Sequence, residues 1–337
     1  MTRRRVSQQE PKVGVTSPDR PDGMRSASER PGVSMVGRAD FRSYYGRPIL
    51  KEPVWTWEIP WYFFLGGMAG ASAPLAFAAR RAGNHRLARA ALTAGAASLA
   101  AGPVLLTADL GRPERAHHML RVFKPTSPMN LGTWQLAAIS PALLGAAIAD
   151  RLGIMPRLAR TAEGVAAVLG PGLATYTAVL LADTAVPVWH QAGRELPFVF
   201  AGSAAASAGA AACLLTPPGD AGPARRLAVA AVAAELAAAT VMERRLGELA
   251  EPYRLEPARR FARLGKGLSL AGALLLGLSG RRRLPATVGS ALLLAGSACQ
   301  RQAVVHAGRL SARDPKYVVK PQRERLQQQN EVAQPSG

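Results

Sequence analysis

Cysteine is almost absent. Cys213 and Cys299 are the only two in 337 residues; each sits inside an apolar run, with no CxxC and no partner at metal-ligand spacing. An iron–sulfur cluster takes four thiolates, which two cysteines cannot supply. Both are therefore read as small buried hydrophobic residues. Histidine is nearly as scarce: His85, His117, His118, His190 and His306. None lies deep in an apolar run, whereas a membrane b-type haem takes its ligands from within the helices. Neither haem nor a bound metal is expected. Acidic residues are outnumbered 42 to 22 by Lys and Arg, which gives a formal charge of +20. Such an excess can mark a nucleic-acid binder. Here the basic residues fall in short clusters between apolar runs, as in RRAGNHRLAR, GRRRL and ARRFAR. Clusters like these flank membrane spans and face anionic lipid heads, so lipid rather than nucleic acid is the expected partner. A secretory signal is also missing. Residues 2–45 hold no apolar stretch and are rich in Pro, Ser and Arg, the composition of a disordered tail.

What the chain does have is long apolar runs. About 20 such residues cross a bilayer core of about 30 Å. Eight runs qualify: 59–79, 90–110, 131–149, 164–186, 196–215, 227–242, 264–278 and 284–305, the sixth and seventh being short. The expected fold is an all-α integral membrane protein of about eight transmembrane helices, built as two packed four-helix bundles. The expected domains are a polar, basic tail over 1–45, a membrane domain over 46–306 and a polar C-terminal tail over 307–337. An even number of spans puts both termini on one face, here called side A, together with the connections 111–130, 187–195 and 243–263. Side B receives four compact, arginine-rich connections, which the positive-inside rule would make cytoplasmic, but the side A loops and tails are rich in Arg too, so the rule does not choose between the two orientations. Gly66 and Gly70, four apart, allow a close helix contact. Pro103, and the triplet Gly170, Pro171, Gly172, are expected to kink or open their helices.

Ionisable residues within a span are costly and therefore functional candidates. Glu235 lies mid-way along the sixth run, in AVAAELAAAT, and reads either as a proton-relay carboxyl or as a structural one bonded to a neighbouring helix. Glu58, Asp109 and Asp183 lie at the side A ends of their runs. Trp57, Tyr62, Trp134, Tyr176, Trp189 and His190 lie near the same face, and an aromatic belt at the lipid interface accounts for most of them. His117 and His118 belong to the side A loop ADLGRPERAHHMLRVFKPTSPMNLGTW, where they are either plain surface residues or partners of Asp109 in moving protons. A lipid-soluble substrate that exchanges protons at side A fits this set. A quinone is such a molecule.

Three stretches carry a resemblance. YYGRPILKEPVWTWEIPWYFFLGGMAG, the loop just quoted and TYTAVLLADTAVPVW are similar to the NrfD-like family, the membrane subunits of polysulfide-reductase-type complexes. The likeness spans roughly 44–325. It implies a respiratory subunit of the bacterial cell (cytoplasmic) membrane that exchanges electrons between the quinone pool, menaquinone or ubiquinone, and a ferredoxin-like iron–sulfur partner. A molybdopterin catalytic subunit often stands behind that partner, and the membrane subunit is not catalytic alone. Carried onto this chain, the implied quinone-site residues are Glu58, Tyr62 and Asp109; His117, Tyr176 and Asp183 share their face. Asp109, Glu58, Tyr62 and Glu235 are the expected proton-handling groups. Two other readings of the chain remain: a proton-translocating module whose path runs through Glu235, and a secondary transporter whose fourth span breaks at Gly170, Pro171 and Gly172.

Overall fold

The computed structural model describes residues 48–110 and 113–333. The expected tail over 1–45, and Gly111 and Arg112 in the side A loop, lie outside the described residues. Among the described residues every regular element is helical: α1 (Glu58–Arg81), α2 (His85–Ala108), a 3₁₀ helix (Pro113–Leu120), α3 (Pro128–Leu152), α4 (Pro156–Ala182), the short α5 (Pro187–Gln191), α6 (Leu196–Leu215), α7 (Gly222–Leu246), a second 3₁₀ helix (Gly247–Arg254), α8 (Ala258–Leu278), α9 (Arg283–Arg313) and α10 (Lys316–Ala333).

At several ends the helices outrun the apolar stretches, because single residues set those ends. Asn84 caps α2 by accepting from the Leu87 N–H at 3.0 Å, so the helix starts at His85, five residues before the apolar run. Ser127 caps α3 and Pro128 opens it, where a missing N–H costs nothing. Gly153 then ends α3 with φ 68°, a left-handed turn that suits glycine. α4 runs unbroken through Gly170, Pro171 and Gly172. The expected opening of that helix is not found, and with it goes the observation behind a transporter.

Six of the eight expected spans are helices long and apolar enough to cross a membrane: α1, α2, α3, α4, α6 and α8. The runs 227–242 and 284–305 lie within α7 and α9. These have the length, at 25 and 31 residues, but fall short in apolarity, because polar and charged residues such as Glu235, Gln300 and Arg301 interrupt them. α1 to α4 pack on one another as one bundle and α6 to α9 as a second. α1 and α6 are the most buried long helices and join the two. α6 manages this with a nearly continuous run of Gly, Ala and Ser.

On side B an ion network ties the first bundle. Arg80 at the end of α1 bonds Glu163 of α4 at 2.6 Å and Asp150 of α3 at 2.9 Å, and Arg89 of α2 reaches Asp150 at 3.0 Å. At mid-depth α1 and α4 cross backbone to backbone. A Cβ on Gly70 would stand 2.5 Å from the Gly170 carbonyl and 2.7 Å from the Ala174 nitrogen. Gly66, by contrast, would meet only the Tyr62 ring, at 3.8 Å. Gly70→Val should therefore cost about 1–3 kcal/mol of stability, read as a lower thermal transition in detergent, while Gly66→Ala should leave it nearly unchanged.

The polar segment after residue 306 supplies the last turns of α9 and then α10. α10 is clasped to the second 3₁₀ helix by Lys316–Glu251 and Lys320–Glu248, each at 2.9 Å. The Lys316 ammonium, as hydrogen-bond donor, holds the Glu251 carboxyl below its ordinary range, and Lys316 is raised in return by Glu251. A lowered acid contributes stability above its unfolded pKa and loses it as pH falls through the folded one. The clasp should hold at neutral pH and loosen on acidification. Both pairs are exposed, so high salt should loosen it as well. A spin-label distance between α10 and residues 247–254 should lengthen under either condition.

Candidate functional site

A cavity of about 240 Å³ lies at the side A end of the first bundle, between α1, α2, α3, α4 and the 3₁₀ helix Pro113–Leu120. Its walls are mainly apolar, with Trp55, Ile59 and Phe63 on one side and Met119, Met129 and Leu136 on another. Thr107 and Thr133 bond carbonyls of their own helices, and the remaining polar groups lie in two places. Tyr62 of α1 and Tyr176 of α4 bring their hydroxyls together within the helical part of the bundle. Asp109, at the C-terminal cap of α2, lines the cavity nearer the loop.

Asp109 is held by the segment before α1. Its Oδ1 accepts from the Thr56 N–H at 3.1 Å and from the Thr56 hydroxyl at 2.8 Å. The same hydroxyl also contacts Glu58 Oε2. One hydroxyl carries one proton, and two carboxylates converge on it. Asp109, Thr56 and Glu58 thus form a continuous chain of polar atoms from the cavity wall to the start of α1.

Tyr62, Asp109 and Tyr176 are thus brought together, and Glu58 joins them through Thr56. The other three candidates are elsewhere. His117 is exposed, packed edge-to-face on His118 with ring centroids 4.3 Å apart, and does not line the cavity, although its neighbours Ala116 and Met119 do. Asp183 lies beyond the end of α4 as its C-terminal cap and is exposed, because the helix stops at Ala182 rather than running to 186. Glu235 belongs to the second bundle, on α7.

Two further expectations change. Trp189 is no belt residue: it is fully buried, its indole N–H donates to the Val304 carbonyl at 2.8 Å, and it stacks on Trp55 at 5.5 Å. Trp57 and Trp61, 63 % and 40 % exposed, do face outward as a belt would. Cys213 is buried as expected, but Cys299 is only partly so.

The loop over the cavity is shaped by Asn130 more than by its prolines. The Asn130 side-chain amide donates to the Met119 and Val122 carbonyls at 3.0 and 2.9 Å, and its oxygen accepts from the Lys124 N–H at 2.6 Å. The Trp134 indole adds a bond to the Val122 carbonyl at 3.2 Å. This clamp sets Met119 against the cavity and leaves Arg115, Arg121, Val122, Phe123 and Lys124 exposed.

The family model for polysulphide reductase, NrfD, matches residues 49–242, more than half of the chain and all of the cavity's lining. The chain belongs to the NrfD family. Proteins of this family are generally membrane subunits of redox complexes, and this chain is accordingly a multi-pass membrane protein. No curated protein matches it. Within this NrfD protein, sequence reasoning missed Thr56, Met119, Met129, Gly132 and Asn130. Asn130 carried a usable signal: an amide just inside the start of an apolar helix, with a polar loop before it to clamp.

Proposed function

We propose that this NrfD protein is the quinone-reactive membrane subunit of an oxidoreductase complex in a bacterial cell membrane. It would exchange electrons between the quinone pool and a ferredoxin-like iron–sulfur partner, with a molybdopterin catalytic subunit behind that partner. The observation that carries the reading is the cavity under the side A loop, mainly apolar, with a hydroxyl pair within the bundle and a carboxyl nearer the surface. Ligand sites run upward from roughly 300 Å³, so this one suits a single ring system, leaving an isoprenoid tail to the lipid. A quinol supplies two electrons and two protons on oxidation. Tyr62 and Tyr176 are placed to bond one ring oxygen. Asp109 would take one proton from the other ring oxygen and pass it through Thr56 towards Glu58, while the second, from the oxygen that the tyrosines bond, would pass to water in the cavity. The exposed basic and apolar residues of the loop, Arg115, Arg121, Val122, Phe123 and Lys124, are the proposed docking surface for the partner.

On this reading all eight long helices cross the membrane. At 1.5 Å per residue α7 and α9 are roughly 37 and 46 Å long, enough for a core of about 30 Å. Their most costly residues, Glu235 and Arg301, are turned into the protein and away from lipid.

Titrating the purified chain in lipid nanodiscs with a short-chain naphthoquinol should quench tryptophan fluorescence saturably, because Trp55 lines the cavity. Tyr176→Phe removes one hydroxyl, a bond worth about 0.5–1.5 kcal/mol, and should weaken binding by up to about tenfold. Absence of saturable quenching by the folded protein would sink the reading.

A further inference from the structure

The second bundle has a polar interior that the cavity of the first does not use. Glu235 on α7 is 3 % exposed, and its Oε2 has no partner in the protein. Arg301 on α9 is 1 % exposed. Its Nη2 donates to the Phe200 carbonyl at 2.9 Å and its guanidinium lies 3.6 Å above the Phe200 ring, while Nε and Nη1 have no partner. Gln300 Oε1 and the Tyr253 hydroxyl are likewise buried without one. α6 presses against the backbone of Glu235 at Gly202, where a Cβ would stand 2.9 Å away, so α7 is held in place at that residue.

Beside them is a cleft of about 40 Å³ enclosed by α6, α7, α8, α9 and the second 3₁₀ helix, with Arg301 outside its lining. Glu235, Ser269, Tyr253 and Gln300 line it, and so do Glu243 and Lys266, which form a partly exposed ion pair at 2.7 Å. Glu243 is eight residues from Glu235 along α7, roughly 12 Å nearer side A. A buried water needs about 10–15 Å³ and two to four polar partners. The cleft has room for about three, and the unpartnered atoms are what such waters bond. In the other direction the cleft ends, and the buried hydroxyls beyond it do not continue its lining: Ser207 and Ser297 bond main-chain carbonyls at 2.9 and 3.4 Å, and Ser290 stands apart on α9. The next turns of α7 towards side B bring Ala228, Ala231 and Val232, packed with Ala206 and Ala210 of α6 in the apolar core.

We propose that Glu235 is the inner end of a one-sided proton well that opens to side A between Glu243 and Lys266. A proton entering there moves through water past Tyr253, Gln300 and Ser269. The Glu235 carboxylate takes it from the last water, which returns to neutral as the carboxyl forms its O–H bond. The groups facing this carboxyl are Arg301 and Gln300 from α9, Ser203 from α6, Ser269 and Lys266 from α8, Tyr253 from the 3₁₀ helix and Glu243 on α7 itself. The well is distinct from a transmembrane relay joining Glu235 to Glu58, Asp109 and Asp183. Those acids belong to the first bundle or its connections, and the side B half of α7 is sealed. Glu235 exchanges protons with the same side that the cavity of the first bundle serves.

Infrared spectroscopy of the full chain in lipid nanodiscs tests this without any quinol, so its failure would leave the reading of the first bundle untouched. Acidification should raise a carboxylic-acid carbonyl band that is missing in Glu235→Gln, and transfer to D2O should shift that band promptly. Ala239→Trp fills the cleft from α7 and should slow the shift by at least about tenfold, since exchange must then wait for local opening of the bundle. The proposal is overturned if the folded protein has no Glu235-dependent band at any pH. It is equally overturned if the band ignores D2O, or if Ala239→Trp exchanges as fast as the parent.

Discussion

Asp109→Asn should lower quinol-linked electron transfer by at least about tenfold, towards the ~100-fold at the lower end of general acid–base effects. Asparagine keeps an oxygen where Asp109 Oδ1 accepts from the Thr56 N–H and hydroxyl. The join between α2 and the segment before α1 therefore survives, and the fold with it. What asparagine cannot do is take a proton from a ring oxygen and hand it on. The loss should fall on turnover and spare the binding of a quinol analogue. Turnover by the purified complex, set beside analogue titration of the same preparation, separates the two. Unchanged turnover in an intact complex would reduce Asp109 to a structural clamp.

Gly132→Leu should abolish quinol binding and leave the helices in place. Gly132 is in the second turn of α3, directly against the Tyr176 ring. A Cβ there would overlap that ring, with even the far Cζ only 3.0 Å away. Any side chain must push Tyr176 towards the cavity, and a leucine fills the space as well. Overpacking of this kind costs about 1–3 kcal/mol, too little to unfold a bundle tied by the Arg80, Asp150 and Glu163 network. Gly132→Ala should give an intermediate loss. The circular dichroism of both variants should match the parent, and the quench of tryptophan fluorescence by naphthoquinol should fade from parent to alanine to leucine.

The helices were legible in the sequence because burial in lipid demands long apolar runs, and every run expected became a helix. Their ends were not legible, since caps such as Asn84 and Ser127 are single polar residues that carry the helix past the apolar stretch. Asp109, Tyr62 and Tyr176 stood out as polar residues in greasy surroundings, and the structure gathers them. Thr56 did not stand out: a threonine between two tryptophans looks like lipid interface, and only the fold brings Asp109 to it across 53 residues. Glu235 read as kin to Glu58 and Asp109 because all are acids in or beside apolar runs. Periodicity along one chain does not tell which bundle a helix joins, and α7 joins the second. His117 and Asp183 were placed by nearness in sequence. Met119, two residues after His117, is the one that faces the cavity.

The most direct measurement is photolabelling of the purified chain in nanodiscs with an azido-quinol, followed by peptide mapping. The account predicts label in 55–63, 103–110, 116–136 and 176–180, the segments that line the cavity, and its loss in Gly132→Leu. Label confined to α6 to α9 would contradict it.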